Sequence, residues 1–204
     1  MTRACIKCKQ DGAALPFLRI CYNIGAGGSM IRPFQEEDME DVVSLWLASS
    51  LQAHDFIPRE FWERAAEDMR TLYLPMSDEI VLHIDDATGK PDAFLAFVDA
   101  FLAALFVAPE AQGRGLGSRM FRIAGRMHPD LTLCVYRENG RAVEFYRKHG
   151  MTVIGERVEE KTGHVELIMG VASATEEKPR RPYADRDGEA QAPLSPMGKT
   201  TDGC

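Results

Sequence analysis

The sequence predicts an α/β protein of the α+β kind, with helices packed on a mixed β-sheet. Strand-like and helix-like periodicity alternate between residues 102 and 158, which implies a parallel pair of strands at the centre of the sheet. Two apolar runs, residues 80–84 and 93–97, flank a turn-rich segment and predict a β-hairpin. Two more runs, residues 152–158 and 164–169, are predicted to close the sheet.

The elements before the hairpin are predicted to be a strand, residues 30–34, and two helices. The first helix is expected from Glu36 to about Leu51, because its first turn is acidic and apolar residues recur on one face. That face consists of Met39, Val42, Val43 and Trp46. The second helix is expected to begin at Pro58, since proline is favoured in a first helical turn. Its inward-facing residues are predicted to be Phe61, Ala65, Met69 and Leu72.

The centre of the chain holds an apolar strand, residues 102–107, followed by Pro109 and three alternating glycines, Gly113, Gly115 and Gly117. The next segment is predicted to be a helix with Leu116, Met120, Ile123 and Met127 on one face. Glycines let backbone amides approach a ligand, and a helix start adds unpaired N–H groups and the positive end of its dipole. This pattern predicts a phosphate-binding turn; the alternative is an ordinary turn between strand and helix.

Two common phosphate-binding motifs are excluded at this turn. No Lys-Ser/Thr pair follows the glycines, as a P-loop requires. The pattern G-x-G-x-x-G of dinucleotide-binding folds is also missing. A different family must therefore account for the turn.

A second motif follows the strand predicted at residues 131–136. It contains Asn139, Ala142, Phe145, Tyr146, Gly150 and Met151 in the pattern Asn-x-x-Ala-x-x-Phe-Tyr-x-x-x-Gly-Met. Asparagine is a good N-cap and glycine a common C-terminal stop, so a helix is predicted from Asn139 to His149. The helix before this strand is expected to end at His128, because Pro129 disfavours the helical conformation there.

The two motifs, in this order, resemble those of the GCN5-related N-acetyltransferases (GNATs), and the resemblance covers roughly residues 30–170. It implies the GNAT fold: a mixed, mostly antiparallel central sheet with a splayed parallel strand pair and helices on both faces. It also implies an acyltransferase that moves an acetyl group from acetyl-CoA to a primary amine of a small molecule or peptide. The rival hypothesis is a catalytically weak protein of the same fold that senses CoA or binds a partner.

The resemblance also assigns roles to residues in both motifs. The turn is expected to hold the pyrophosphate through its amides, and the preceding strand to pair with the pantetheine arm. The implied coenzyme-binding residues are Leu105, Phe106, Val107, Gln112, Gly113, Arg114, Gly115, Leu116, Gly117, Ser118, Asn139 and Tyr146. Tyr146 is further expected to be the general acid toward the departing sulfur, because a phenol of pKa ~10 is protonated at neutral pH. The alternatives are a helix cap for Asn139 and a core position for Tyr146.

The sequence leaves the general base open. Relatives often carry an acidic residue or a histidine on the strand before the glycine turn, whereas residues 101–104 contain nothing that titrates. Three interpretations remain: deprotonation through ordered water, a base from His54 or Asp55, or weakened turnover. His54 and Asp55 begin a tripeptide that walls the acceptor pocket in a subset of the family. Asp99 is a further candidate if its strand bulges.

Composition and charge exclude several classes of protein. The net charge of −7 and the pI near 5.3 argue against a nucleic-acid partner and favour a cationic acceptor. The N-terminus lacks the apolar core of a signal peptide, and no apolar run approaches the ~18 residues of a membrane span. A cytoplasmic protein without a membrane partner is therefore predicted. Cys5 and Cys8 are half of a zinc or redox pattern without a second pair, so no metal site is expected.

The chain is predicted to contain one N-acetyltransferase domain, residues 30–170, between two extensions. Residues 1–29 show no sustained periodicity and are expected to be a poorly ordered N-terminal extension that can be deleted without loss of activity. Residues 171–204 are rich in proline and charge and are predicted to be a disordered tail. The resemblance leaves the assembly open between a monomer and a homodimer.

Overall fold

One mixed β-sheet positions the candidate site. The computed structural model describes the backbone of Tyr22–Asn23 and residues 30–171. The strands are β1 (Tyr22–Asn23), β2 (Met30–Pro33), β3 (Glu79–Ile84), β4 (Pro91–Val98), β5 (Phe101–Val107), β6 (Thr132–Tyr136), β7 (Met151–Val158) and β8 (Val165–Val171). Their order in the sheet is β1-β2-β3-β4-β5-β6-β8-β7. All neighbours are antiparallel except β5 and β6, so the predicted mixed sheet is confirmed.

Helices cover both faces of this sheet. They are α1 (Met39–Ala53), α2 (Arg59–Asp68), α3 (Leu74–Met76), α4 (Leu116–Met127) and α5 (Gly140–Lys148). Short 3₁₀ turns, Glu36–Asp38 and Pro109–Ala111, precede α1 and α4. The first of these turns is fixed by Asp38, whose carboxylate accepts two hydrogen bonds from Arg32 at 2.6 and 2.7 Å and one from the Gln35 amide at 2.8 Å.

The second predicted helix differs from the expectation in its inner face. A π-helical turn, Met69–Tyr73, follows α2. A π turn holds more residues per turn than an α-helix and changes which side chains point inward. Leu74 is therefore buried, whereas Leu72 is only half-buried. Before the π turn, Ala65 is buried as predicted, but Trp62 is buried and Phe61 only half-buried, so the inner face of α2 itself was misplaced by one residue.

The parallel strands β5 and β6 separate immediately after they meet. Their pairing consists of Phe101 opposite Thr132, supported by a hydrogen bond from the Thr132 amide to the Ala100 carbonyl at 3.2 Å. Toward Val107 and Tyr136 the strands diverge, and each pairs only on its outer side, with β4 and β8 respectively. The splayed pair implied by the resemblance is therefore confirmed, and it opens a slot in the middle of the sheet.

A continuous apolar core fixes the sheet on either side of the slot. Fully buried residues include Trp46 of α1, Phe94 and Leu95 of β4, and Met120 of α4. Burial of each such side chain contributes about 1.5–3 kcal/mol to folding. Trp46 and Trp62 meet edge to face with ring centroids 5.8 Å apart, so α1 and α2 are held together as one wall.

The described residues reproduce most of the predicted elements. The hairpin, the strand before the glycine turn and the helix ending at His128 are all present. The predicted extensions fall mainly outside the described residues, except for the two-residue strand β1, which pairs with Met30 and Ile31. Within the described ranges, no helix has both the length and the apolar character to cross a membrane.

Candidate active site

The divergence of β5 and β6 creates a cavity of about 710 Å³. Its walls come from α1, the segment before α2, the two splayed strands, the glycine turn and α5. It contains ten of the twelve residues predicted to bind the coenzyme and both predicted base candidates, His54 and Asp55. The two exceptions are Arg114, which is exposed at the turn, and Leu116, whose side chain belongs to the core. Leu116 therefore retains only its amide for the predicted role.

The glycine turn forms a cradle of backbone amides at one end of the cavity. Gly113 and Gly115 have φ angles of 76° and 80°, a left-handed conformation that glycine adopts without strain. A Cβ built on either residue would meet no atom within 4 Å, so the space above the turn is open. Gly115 is the N-cap of α4, and the helix start has no side-chain cap. Among the described residues, the amides from Gly113 to Ser118 have no hydrogen-bond acceptor.

Gln112 lies in the same turn, but its side chain forms hydrogen bonds within the protein and is not available to a ligand. Its Nε2 donates to the Val107 carbonyl at 3.1 Å and to Gln52 Oε1 at 3.0 Å. Ser49 Oγ donates to the same Val107 carbonyl at 3.1 Å. The Val107 carbonyl is therefore occupied, which leaves the backbone groups of Leu105 on the inner edge for a bound ligand, because Phe106 faces β4 as Ala108 does. These bonds also tie the end of β5 to α1.

Helix α5 contributes the second predicted motif. Asn139 Oδ1 accepts a hydrogen bond from the Ala142 amide at 3.1 Å, so Asn139 is a helix cap that also lines the cavity. Tyr146 lies about two turns further along α5 and contacts Phe121 and Phe145 at centroid distances of 5.6 and 5.2 Å. Burial raises the pKa of the Tyr146 hydroxyl above its usual value. The phenol is therefore fully protonated at neutral pH.

His54 lines the cavity where α1 ends, and its Nε2 lies 3.4 Å from Asn139 Nδ2. Its ring stacks on Trp62 at 5.0 Å and meets Tyr136 edge to face at 5.3 Å. Burial lowers the pKa of His54 to about 4, against smaller opposing effects of the Ser50 backbone and the Asp55 charge. Such a histidine is neutral at pH 7 and a weak base, and its main role in the structure is to form a wall.

The other two predicted base candidates are not placed to form a dyad with His54. Asp55 lines the cavity but is exposed, and over residues 30–171 no hydrogen bond joins it to His54. Asp99 lies in the turn between β4 and β5, with φ 52°, and is not part of the cavity wall. The bulge that would have redirected this strand lies earlier, between Ala96 and Phe97.

The fold brings into the cavity a carboxylate that was not predicted from the sequence. Glu166 of β8 is 5% exposed and lines the cavity beside Cys134 and Tyr136 of β6. Burial raises the pKa of the Cys134 thiol to about 12, so this cysteine is not a nucleophile at neutral pH. The available signal was an acidic residue in an otherwise apolar strand, but only the strand register shows which way it faces.

The end of the cavity near His54 is acidic. The charged residues of the lining, within the described part of the chain, are Asp55, Glu138, Glu166 and Arg141. Glu138 accepts a hydrogen bond from His164 Nδ1 at 3.1 Å, which lowers the pKa of Glu138. Three carboxyl groups against one guanidinium favour a cationic ligand at this end.

The described residues contain no cluster of three or more His, Cys, Asp or Glu side chains suited to a metal ion. Cys5 and Cys8, the half motif noted in the sequence, lie outside the described residues.

Comparison with known proteins gives consistent matches. The family model described as an acetyltransferase (GNAT) domain matches residues 78–152. The peptidyl-lysine N-acetyltransferase YiaC of Escherichia coli (strain K12) is 34% identical over 126 residues, covering 61% of this chain and 84% of YiaC. The solution structure of apo-form YjaB from Escherichia coli has a TM-score of 0.64 at 28% identity, covering 72% of this chain and 99% of YjaB. The crystal structure of PaiA N-acetyltransferase from Thermoplasma acidophilum in complex with coenzyme A shares the fold, with a TM-score of 0.58, 17% identity and coverage of 72% and 99%.

Proposed function

This chain belongs to the GCN5-related N-acetyltransferase family, and we propose that the primary amine it acetylates is the ε-amine of a lysine side chain in a peptide or protein. As a member of the family it is an acyltransferase that uses acetyl-CoA. The rival hypothesis of a CoA-binding module without turnover has less support, because its relatives are named as N-acetyltransferases.

The glycine turn is the proposed site for the diphosphate of the coenzyme. Its amides lack acceptors, and the conformation of Gly113 and Gly115 leaves the space above them open. Amides at a helix N-terminus bind anionic oxygens through hydrogen bonds and the helix dipole. Arg114 is exposed beside the cradle and adds a positive charge at its rim. The inner edge of β5 at Leu105 is proposed to pair with the pantetheine arm, which leads toward Tyr146.

Tyr146 is the proposed general acid. Tyr146 lines the cavity on the α5 side, and its hydroxyl keeps its proton at neutral pH because burial raises its pKa. A protonated phenol can donate to a thiolate as it leaves, which lowers the barrier to breaking the carbon–sulfur bond. Asn139, which lies between Tyr146 and His54 along the cavity, is proposed to border the pantetheine arm.

The acidic residues of the cavity support the proposal that the acceptor is a lysine side chain. Lysine has a cationic head on a long apolar stem. Carboxyl groups of Asp55 and Glu138 at the rim would attract the head, and the rings of Trp62 and Tyr136 provide an apolar wall for the stem. The relatives YiaC and YjaB are named for action on the same type of residue.

A matched set of peptides tests the acceptor. The first peptide has a blocked N-terminus and one lysine, the second carries arginine in place of that lysine, and the third has a free N-terminus and no lysine. With acetyl-CoA, we expect CoA release and a mass gain only for the first peptide, with fragmentation placing the acetyl group on the ε-nitrogen. Acetylation confined to the third peptide, or to small amines, would contradict the proposal.

Two finer expectations complete the proposal. We propose a cytoplasmic location, since the reaction consumes acetyl-CoA. The assembly is open between a monomer and a homodimer, which sedimentation of the purified chain distinguishes. That neither nucleic acid nor a membrane is a partner stays a prediction.

A further inference from the structure

Glu166 is a buried carboxylate in the cavity wall, and Arg157 of β7 lies directly opposite it in the same hairpin. The other buried glutamate of the β7–β8 hairpin, Glu159, is 2% exposed and accepts hydrogen bonds from the amides of Lys161 and Thr162 at 3.2 and 2.8 Å. Glu159 therefore closes the turn. Glu166 lies within β8 and makes no such turn, yet the strand places its charge in the wall of the cavity.

Strand register puts Glu166 on the acceptor side of the slot. It is directly opposite Tyr136 in the antiparallel pair of β6 and β8, so the two side chains share one face of the sheet. The ring of Tyr136 lies against His54 at 5.3 Å, on the wall formed by α1 and the segment after it. Tyr146 enters the same cavity from α5. Glu166 and Tyr146 thus line one cavity from different elements.

Arg157 holds the Glu166 carboxylate without enclosing it. Both contacts reach the same oxygen, Oε2: Nε at 2.8 Å and Nη2 at 2.7 Å. The ion pair orients the carboxyl group and keeps it anionic in a buried place. Burial nevertheless raises the pKa of Glu166, because the loss of hydration outweighs the attraction of Arg157. A carboxylate with a raised pKa is better matched to accept a proton near neutral pH.

We infer that Glu166 is the general base that takes the proton from the acceptor ammonium, a role that rests on the acetylation of a cationic amine proposed above. Glu166 is the carboxylate that is both buried and in the cavity wall, whereas Asp55 and Glu138 are exposed at the rim. His54, which contacts Tyr136, is already neutral and weakly basic at neutral pH.

The proton balance of the step follows from these positions. Glu166 takes one proton from the ammonium and becomes a neutral acid, and the amine gains its lone pair. The nitrogen then forms a bond to the acetyl carbon while the bond from that carbon to sulfur breaks. Tyr146 gives its proton to the sulfur and recovers one from the nitrogen, which becomes an amide. Glu166 releases its proton to water when the products leave.

Two acceptors of the same shape and different basicity test this role. One is a blocked peptide with a single lysine; the other carries 5,5-difluorolysine, whose ε-amine is largely neutral at pH 8. Glu166→Gln should lower kcat/KM for the lysine peptide about 100-fold but for the difluorolysine peptide less than about threefold. Each variant is measured with both acceptors, so any loss of folded enzyme cancels in the ratio. The control Glu156→Gln, an exposed residue of β7 that pairs with Arg137, should change neither value.

The variant Glu166→Asp keeps a carboxylate and should retain the lysine-to-difluorolysine ratio of the native enzyme. Equal losses for both acceptors in Glu166→Gln, or no loss, would overturn the role of Glu166. Native enzyme that acetylates ethylamine but no lysine peptide would overturn the proposed function alone. In that case the role of Glu166 is tested by measuring kcat/KM of Glu166→Gln with ethylamine and with the less basic 2,2-difluoroethylamine. Failure of the native enzyme with both pairs would overturn both proposals.

Discussion

The two ends of the cavity are built in different ways. The coenzyme end is made from one continuous stretch, residues 105–118, and acts mainly through backbone groups. The acceptor end is assembled from side chains distant in sequence, including His54, Tyr136 and Glu166. Backbone groups bind a diphosphate in the same way whichever side chains surround them, whereas the choice and deprotonation of an amine depend on which side chains meet.

This difference explains why the two ends respond differently to mutation. The glycine cradle depends on backbone conformation, and a side chain at Gly115 would disturb every contact to the diphosphate together. At the acceptor end the proposed roles are separate: Glu166 is proposed to accept a proton, and Asp55 and Glu138 to attract a cationic acceptor, whereas His54 forms part of the wall. Substitutions at the acceptor end are therefore expected to lower activity by different amounts, most at the reacting groups and least at the residues of the wall.

The largest effect is expected from Gly115→Val. Its φ of 80° strains any β-branched residue by about 1–3 kcal/mol, and the loss of charge-assisted hydrogen bonds adds a similar amount. We expect acetyl-CoA affinity, measured by titration calorimetry, to fall about 1000-fold. The control is Gly89→Val, which has φ 69° in the β3–β4 turn and should lower stability without changing that affinity. Unchanged binding in Gly115→Val would show that the cradle is not the coenzyme site.

The next effect is expected from Tyr146→Phe. This change removes only the hydroxyl and keeps the packing against Phe121 and Phe145. We expect kcat to fall about 100-fold, because the thiolate then leaves without a proton donor, while the Kd for acetyl-CoA changes less than about twofold. Stopped-flow turnover and calorimetry give the two numbers. A kcat equal to that of the native enzyme would assign Tyr146 to packing alone.

A smaller effect is expected from the double variant Asp55→Asn, Glu138→Gln. Both residues are exposed at the rim, where charges act mainly by attracting a cationic acceptor and are screened by salt. We expect KM for a lysine peptide to rise about fivefold at low ionic strength, with kcat unchanged. The difference should shrink at high salt. An effect that is independent of salt would indicate that these groups act by contact and not by attraction.

The smallest effect on turnover is expected from His54→Gln, with kcat at pH 8 within about twofold of the native enzyme. Its effect on stability should depend on pH. Burial lowers the pKa of His54 from 6.5 to about 4, so between these values the unfolded chain binds more protons than the folded one. The native protein should therefore lose up to about 1.4 kcal/mol of unfolding free energy per pH unit as the pH falls through this window.

Urea titrations at several pH values measure that slope, which should be flatter in His54→Gln. The control is His149→Gln, which removes a histidine at the end of α5. Equal slopes in the native protein and His54→Gln would mean that His54 is not the buried group responsible. A large fall in kcat for His54→Gln would return it to the list of candidate bases.

Local sequence chemistry was sufficient to predict the backbone of the glycine turn and the cap of α5. Gly113 and Gly115 adopt the left-handed backbone that favours glycine, and Asn139 caps α5 as predicted. These features depend on neighbours within a few residues, so they can be predicted from the amino-acid sequence alone. The inner face of the helix after Pro58 could not be predicted so well beyond Met69, because the π turn at Met69–Tyr73 changed its phase.

The sequence by itself determined the family, the order of strands and helices, and the glycine turn with its acceptor-free amides. Only the tertiary structure decided which side chains share the acceptor end, because this depends on the register of β6 and β8 and on the end of α1. A shift of that register by one residue would turn Glu166 to the other face of the sheet. The burial of His54 against Trp62, which lowers its basicity, likewise follows from the packing of α1 against α2.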